Sequence, residues 1–138
     1  MNAVQLGIYN FFIATTGGNH NSLYNSVSGR MYFVEAPQNA TFPYIVWHII
    51  TNDDRINFTS DKLDLIIQFD IHSSSATSQE LGTIYGYLNT LYNRSSPTIT
   101  GYRVVSFRKE NSRGPLKFED TNNWMYQIRY LLKIEPSS

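Results

Sequence analysis

The first segment of the chain carries apolar residues at the spacing of an α-helix. Positions i, i+4, i+7, i+8 and i+11 form one stripe, which predicts a helix over residues 2–15. Gly17 and Gly18 are expected to end it, because glycine accepts the left-handed conformation that follows many helices. Residues 19–29 are mostly polar and predict at most one further turn. The residues of the stripe are Val4, Ile8, Phe11, Phe12 and Thr15.

From Arg30 onward the apolar pattern changes to the period of two that is typical of β-strands. The clearest strand alternates apolar residues with residues that include Asp64, Gln68 and Asp70, so one face is expected to be buried and the other mostly wet. The second and third strands are joined too briefly for a crossover, which predicts an antiparallel pair. The predicted strands are residues 31–34, 44–51, 63–71, 102–109 and 124–134.

A second helix is predicted between the third and fourth strands. Thr77 and Glu80 match the capping box, in which each side chain bonds the other residue's free backbone N–H. Apolar residues at helical spacing continue to about Asn93, and Pro97 follows soon after. Residues 111–120 are polar and contain Gly114 and Pro115, so they are predicted to form a loop.

These elements predict an α+β fold: a single domain, residues 1–138, with a mainly antiparallel β-sheet of about five strands and two α-helices packed on one face. The length of 138 residues suits one hydrophobic core. No apolar run is longer than four residues, as at Phe11–Ala14, whereas a membrane span needs about 20. We therefore expect no membrane partner.

Charge is sparse and unevenly distributed along the chain. Charged residues are 16% of the sequence and the net charge is zero. Residues 1–100 hold four basic and seven acidic residues, a net charge of −3, whereas residues 101–138 carry a net charge of +3. Such asymmetry is compatible with a binding face, with subunits that pack unlike faces together, or with solvated charge that has no partner.

The sequence offers little catalytic chemistry. His20, His48 and His72 are scattered and lack the spacing of a metal site, and the absence of cysteine excludes thiolate ligands and a cysteine nucleophile. The adjacent carboxylates in predicted loops point apart on extended chain, whereas paired-carboxylate catalysis needs two groups that converge across a cleft. We expect no catalytic residues, no metal and no cofactor, and hence a protein that is not an enzyme.

The strongest binding signal is a basic segment interleaved with aromatic residues. Its cations are Arg103, Arg108, Lys109, Arg113 and Lys117, and the aromatic residues Tyr102 and Phe107 lie among them. Basic groups beside aromatic rings can hold a nucleic-acid backbone and stack bases. Nearby acidic residues and a pI of about 6.8 favour a partner-facing protein contact at least as well. Arg108, Lys109, Arg113 and Lys117 are the candidate residues of this partner-facing loop.

Two segments carry a resemblance to a known family. Gly29–Gln38, which reads GRMYFVEAPQ, and Phe42–Trp47, which reads FPYIVW, combine a strand, an Ala-Pro turn and a Pro-Tyr that opens the next strand. This arrangement resembles the tail-completion proteins of long-tailed bacteriophages, also called tail terminator or tail-to-head joining proteins. The resemblance extends over about residues 2–95 and beyond them rests on the order of the elements.

The resemblance implies a structural virion protein at the phage neck, assembled in the host cytoplasm. A homo-hexameric ring would cap the tail tube protein, dock to the head-tail connector or head-completion protein, and let DNA pass through its lumen without sequence readout. The family has no catalytic residues to transfer. The alternatives are another phage neck or baseplate component, or a small nucleic-acid-binding module that uses the basic segment.

One acidic segment is a hypothetical lumen or interface loop. The lumen of a DNA conduit should be acidic or neutral, and the acidic residues cluster between the second and third predicted strands. The candidate residues are Asp53, Asp54, Arg55, Asp61 and Asp64.

Overall fold

The computed structural model describes residues 2–51, 63–74, 78–118 and 123–137. Within these ranges the elements are α1 (Asn2–Ile13), β1 (Thr15–Thr16), β2 (Asn19–His20), α2 (Ser22–Ser26), β3 (Met31–Phe33), β4 (Tyr44–Thr51), β5 (Leu63–Ser73), α3 (Gln79–Tyr92), β6 (Tyr102–Phe118) and β7 (Asn123–Pro136).

Five of these strands form one sheet in the spatial order β3-β4-β5-β7-β6, and β1 and β2 form a separate small hairpin. β3 runs parallel to β4, whereas the other neighbouring strands of the sheet are antiparallel. The predicted α+β fold with a mainly antiparallel five-stranded sheet is therefore confirmed, as is the antiparallel pairing of β4 with β5. The single turn expected within residues 19–29 is α2.

The core lies between the helices and one face of the sheet. The buried face predicted for β5 is confirmed, since Leu65, Ile67, Phe69 and Ile71 are all buried. Every second residue of β7 joins them on the same face, and the apolar stripes of the helices cover both strands. The helical side of this core comprises Val4, Ile8, Phe12, Leu23, Leu81, Ile84, Leu88 and Tyr92. The opposite face of β5 was expected to be mostly wet, but it is half-buried and its Gln68 is buried.

Tyr92 joins the two long helices across the core. Its ring stacks on Phe69 with centroids 4.9 Å apart, and its hydroxyl donates a hydrogen bond of 2.9 Å to the carbonyl oxygen of Ile8 in α1. Burial raises the pKa of Tyr92 well above its usual value, because the phenolate would lose its hydration. The hydroxyl therefore stays protonated and remains a donor to α1.

The ends of the helices differ by a few residues from the sequence pattern. α1 ends at Ile13, and Thr15 lies in β1 instead of continuing the helix. α3 begins at Gln79 with Ser78 as its N-cap, which makes no side-chain capping bond. Thr77, the first residue of the predicted capping box, lies outside the described residues. The Glu80 carboxylate accepts a hydrogen bond of 2.6 Å from the hydroxyl of Ser73, so it anchors α3 to the end of β5.

The loop predicted for residues 111–120 is wrong over most of its length. β6 continues to Phe118 and pairs with β7 along the whole strand. Shifts in register between Lys109 and Asn111 and between Arg113 and Leu116 mark irregularities that accommodate Gly114 and Pro115. A β-bulge lets a strand pass such residues without ending the ladder, so local turn chemistry is overridden by pairing with a long partner strand.

No helix in the described ranges has both the length and the apolar character needed to cross a membrane.

Candidate functional site

A row of hydrogen-bonded polar side chains crosses the sheet face opposite the helices. On β5, Asp70 receives the Gln68 amide at 3.2 Å and lies 3.4 Å from Nε2 of His48 on β4. From β7, Nε of Arg129 donates to Oε1 of Gln68 at 2.9 Å. Gln68 is only 7% exposed, so these bonds satisfy a buried amide and hold the side chains of three strands in one arrangement.

Three of the predicted basic residues are held by neighbours within the chain. Arg103 forms an ion pair with Glu135. Lys109 donates a hydrogen bond of 2.8 Å to the hydroxyl of Tyr85 and lies 5.5 Å from the centre of its ring, and Lys117 lies 5.6 Å from the ring of Trp124. The two lysines contact Tyr85 and Trp124, not the Tyr102 and Phe107 that the sequence placed among the cations. All three cations lie on a strand and not in the predicted loop.

Arg108 and Arg113 are the two basic residues of β6 that face solvent with neither an acidic nor an aromatic partner among the described residues. Arg108 pairs with Leu131 and Arg113 with Gln127, and both partners alternate with the buried residues of β7. Since paired residues share a face, both arginines lie on the sheet face opposite the helices. Arg129 pairs with Asn111 between them, so three guanidinium groups occupy neighbouring positions there.

The acidic candidates are only partly placed. Asp53, Asp54, Arg55 and Asp61 lie outside the described residues. Asp64 is half-buried on β5 and pairs directly with Lys133 of β7, on the same face as the polar row. An opposite charge therefore faces this one acidic candidate, and the lumen hypothesis stays a prediction.

A groove between α1 and β3 has no counterpart among the sequence-based candidates. Its volume is about 400 Å³, and its walls include Leu6 and Tyr9 of α1 and Phe33 and Glu35 at the end of β3. The signal for it was present in the sequence, because Leu6 is a large apolar residue outside the buried stripe of its helix. The groove itself joins elements about 25 residues apart, so periodicity alone could not assemble it.

The histidines and carboxylates of the described ranges do not assemble a group of three or more that could hold a metal ion. His48 contacts Asp70, His72 stacks on Tyr44 with centroids 4.9 Å apart, and His20 stacks on Tyr24 at 3.7 Å. Each histidine thus packs against a different neighbour, and they do not converge on one cleft.

His72 makes the stability of the fold depend on pH. Burial lowers the pKa of His72 below its ordinary value of 6.5, and the nearby Asp70 carboxylate opposes this shift with a smaller effect. The unfolded chain therefore binds a proton at this site more readily than the folded chain does. It follows that stability is lost as the pH falls below about 6.5, until the folded form is protonated as well.

Replacing His72 with glutamine should make the free energy of unfolding less steep in pH. The measurement is urea unfolding of both proteins from about pH 7.5 to about pH 5, and the difference between the two curves isolates the contribution of His72. Parallel curves for the two proteins over this range would contradict the assignment.

Comparison with known proteins reveals a likeness of fold but none of sequence. No family model matches the chain. No curated protein matches it in sequence. Among solved structures, a chain of the "Virion of native gene transfer agent (GTA) particle" superimposes with a TM-score of 0.81 at 12% sequence identity, covering 97% of this chain and 96% of that chain. At this identity the likeness establishes a shared fold along nearly the whole of both chains.

Proposed function

We propose that this chain is a structural protein of a virion, located at the neck as a ring that caps the tail tube and joins it to the head connector. The observation that carries the proposal is the fold shared with a chain of a gene transfer agent virion, which covers almost all of both chains. The tail-completion pattern at residues 29–47 supports the same assignment independently, since it was drawn from sequence.

In the proposed role the chain acts by binding other virion proteins through its surface. We therefore propose that it is not an enzyme. Its partners would be copies of itself, the tail tube protein and the head connector, with DNA passing through the lumen unread. The two edge strands of the sheet, β3 and β6, carry different side chains. A heterologous ring would bring such unlike surfaces of neighbouring subunits together.

Deleting the encoding gene should separate heads from tails. In the virus or particle-producing strain, we expect filled heads and free tails to accumulate, because the surface that joins them is missing. Electron microscopy of lysates measures the ratio of joined to separate particles, and a plasmid copy of the wild-type gene serves as the control. Joined particles of normal appearance in the deletion strain would overturn the proposal.

A nucleic-acid-binding module is the second candidate, favoured by one observation. Arg108, Arg113 and Arg129 lie side by side on the sheet face opposite the helices, and neither of the first two has an acidic partner among the described residues. A phosphate binder loses DNA affinity steeply with salt, with a logarithmic slope of about −0.9 for each phosphate neutralised. A ring protein that lets DNA pass is expected to bind free DNA weakly at any salt concentration.

A further inference from the structure

The groove between α1 and β3 is surrounded by exposed apolar side chains. Leu6 is 52% exposed, and Val34, directly after β3, is 54% exposed. Tyr9 and Phe33 add two partly exposed rings beside them. Val34 has a φ of 75°, a left-handed conformation that β-branched residues adopt rarely. An apolar patch of this kind at one end of a sheet is typical of a surface that another protein covers.

Charge distinguishes this groove from the opposite end of the sheet. Glu35 lines the groove as an exposed carboxylate and has no ion-pair partner among the described residues. Arg30, the nearby cation, directs its guanidinium to the carbonyl oxygens of Phe42 and Pro43, at 3.2 and 3.0 Å. The groove therefore presents apolar surface together with one free negative charge.

The β6 end of the sheet presents the complementary combination. Val105 and Phe118 are exposed apolar residues, 46% and 44% accessible, and Arg108 and Arg113 are exposed cations on the same strand. An interface that placed two copies of this end together would oppose arginine to arginine. If the β6 end of one copy instead met the α1–β3 groove of another, these cations would face Glu35. Apolar surface would then be covered on both subunits.

The outer edge of β6 favours a contact made by side chains over one made by an added strand. Backbone groups on its outer edge are already used near the middle, where the Arg94 N–H donates to the Phe107 carbonyl and the Lys109 N–H donates to the Asn93 side chain. Farther along, bulges interrupt the edge and Pro115 lacks an N–H donor. Both features prevent edge-to-edge pairing of strands.

We propose that the α1–β3 groove receives the β6 edge of a second copy of this chain, an inference that rests on the proposed ring and names its subunit interface. Val105 or Phe118 of one subunit enters the groove of the next, and Glu35 faces Arg108 or Arg113. Because the two surfaces differ, a pair of subunits still has one free groove and one free β6 edge for further copies. Repetition of the contact closes a ring when the rotation from one subunit to the next is a whole fraction of a turn.

Cross-linking through introduced cysteines tests which surfaces meet, because the chain has no cysteine of its own. Leu6→Cys marks the groove, Val105→Cys and Phe118→Cys mark the β6 edge, and Tyr87→Cys on the exposed side of α3 is the matched control. With a short bismaleimide, Leu6→Cys mixed with a β6-edge variant should form a covalent dimer that neither variant forms alone. The mixture of Leu6→Cys with Tyr87→Cys should give no covalent dimer.

Charge reversal tests the same contact by a second route. Glu35→Arg should weaken self-association at least about tenfold, because it opposes like charges. Either Arg108→Glu or Arg113→Glu should have the same effect alone and should recover most of the loss when combined with Glu35→Arg. Tyr87→Arg should leave association unchanged. Light scattering measures the self-association of the purified protein. The yield of the groove-to-edge cross-link measures the same contact within assembled particles, so the test does not require rings to form in isolation.

The outcomes separate this interface from the proposed function. The interface would be overturned by cross-links of groove to groove, or by the absence of a groove-to-edge link in both purified protein and particles. A neck location seen by microscopy would still support the proposed ring. A chain that cross-links as expected yet is absent from the neck would uphold the interface and overturn the neck assignment.

Discussion

Replacing Phe69 with alanine is expected to lower the free energy of unfolding by about 3–5 kcal/mol, the usual cost of removing a buried phenylalanine ring. Phe69 lies at the middle of β5 and is fully buried. Its ring contacts those of Trp47, Tyr92 and Tyr130 at centroid distances of 6.2, 4.9 and 5.8 Å. Three large rings cannot collapse together into the vacated space, so a cavity remains in the core.

The measurement is urea unfolding followed by circular dichroism, at a concentration at which both proteins are monomeric. Phe118→Ala is the matched control, since that ring is 44% exposed at the end of β6 and its removal should change stability by about 0.5 kcal/mol or less. A loss below about 1 kcal/mol for Phe69→Ala would show that the aromatic cluster is not the centre of the core.

Adding a single methyl group at Gly7 is expected to destabilise the protein by about 1–3 kcal/mol. A Cβ at this buried position of α1 would lie 2.7 Å from the carbonyl oxygen of Thr98 and 2.9 Å from a side-chain carbon of Ile99. The nearer of these atoms belongs to the backbone, which cannot rotate away. α1 therefore has to move outward from the segment that precedes β6.

The same change at Gly86 is expected to act in the opposite direction. Gly86 lies on the exposed side of α3 with no atom within 4 Å of an added Cβ, so alanine should stabilise the helix by up to about 1 kcal/mol. Thermal and urea unfolding of Gly7→Ala and Gly86→Ala provide the comparison. Two stabilised variants would mean that α1 does not approach Thr98 as closely as the structure indicates.

The elements with strict local periodicity were predicted correctly from the sequence. The apolar stripe of α1 and the alternation of β5 each reflect one face turned to one core, and that pattern is written within a dozen residues. The β6 segment after Lys109 was predicted wrongly because glycine, proline and polar residues favour a loop locally. Its strand is stabilised by β7, a partner that a window centred on Gly114 does not include.

The candidate site residues were also predicted from local sequence, whereas their contacts depend on distant parts of the chain. The basic residues were found from their clustering along one segment of the sequence, but whether a given cation is free depends on its neighbours in the fold. Lys109 and Lys117 lie against aromatic rings, Arg103 is paired with Glu135, and Arg108 and Arg113 have no acidic partner in the part of the chain that the structure describes. A sequence pattern places these basic residues on a strand, but it does not show which of them contacts a given aromatic ring or carboxylate.

The order of the longer helices and strands, the buried residues of each amphipathic segment and the expectation of an α+β layer were already determined by the amino-acid sequence, because hydrophobic periodicity is a local property of the chain. The short β1–β2 hairpin was not predicted. The strand order β3-β4-β5-β7-β6 and the α1–β3 groove were decided only by the tertiary structure. Both depend on which distant segments pack together, and that choice is set by the free energy of the whole core.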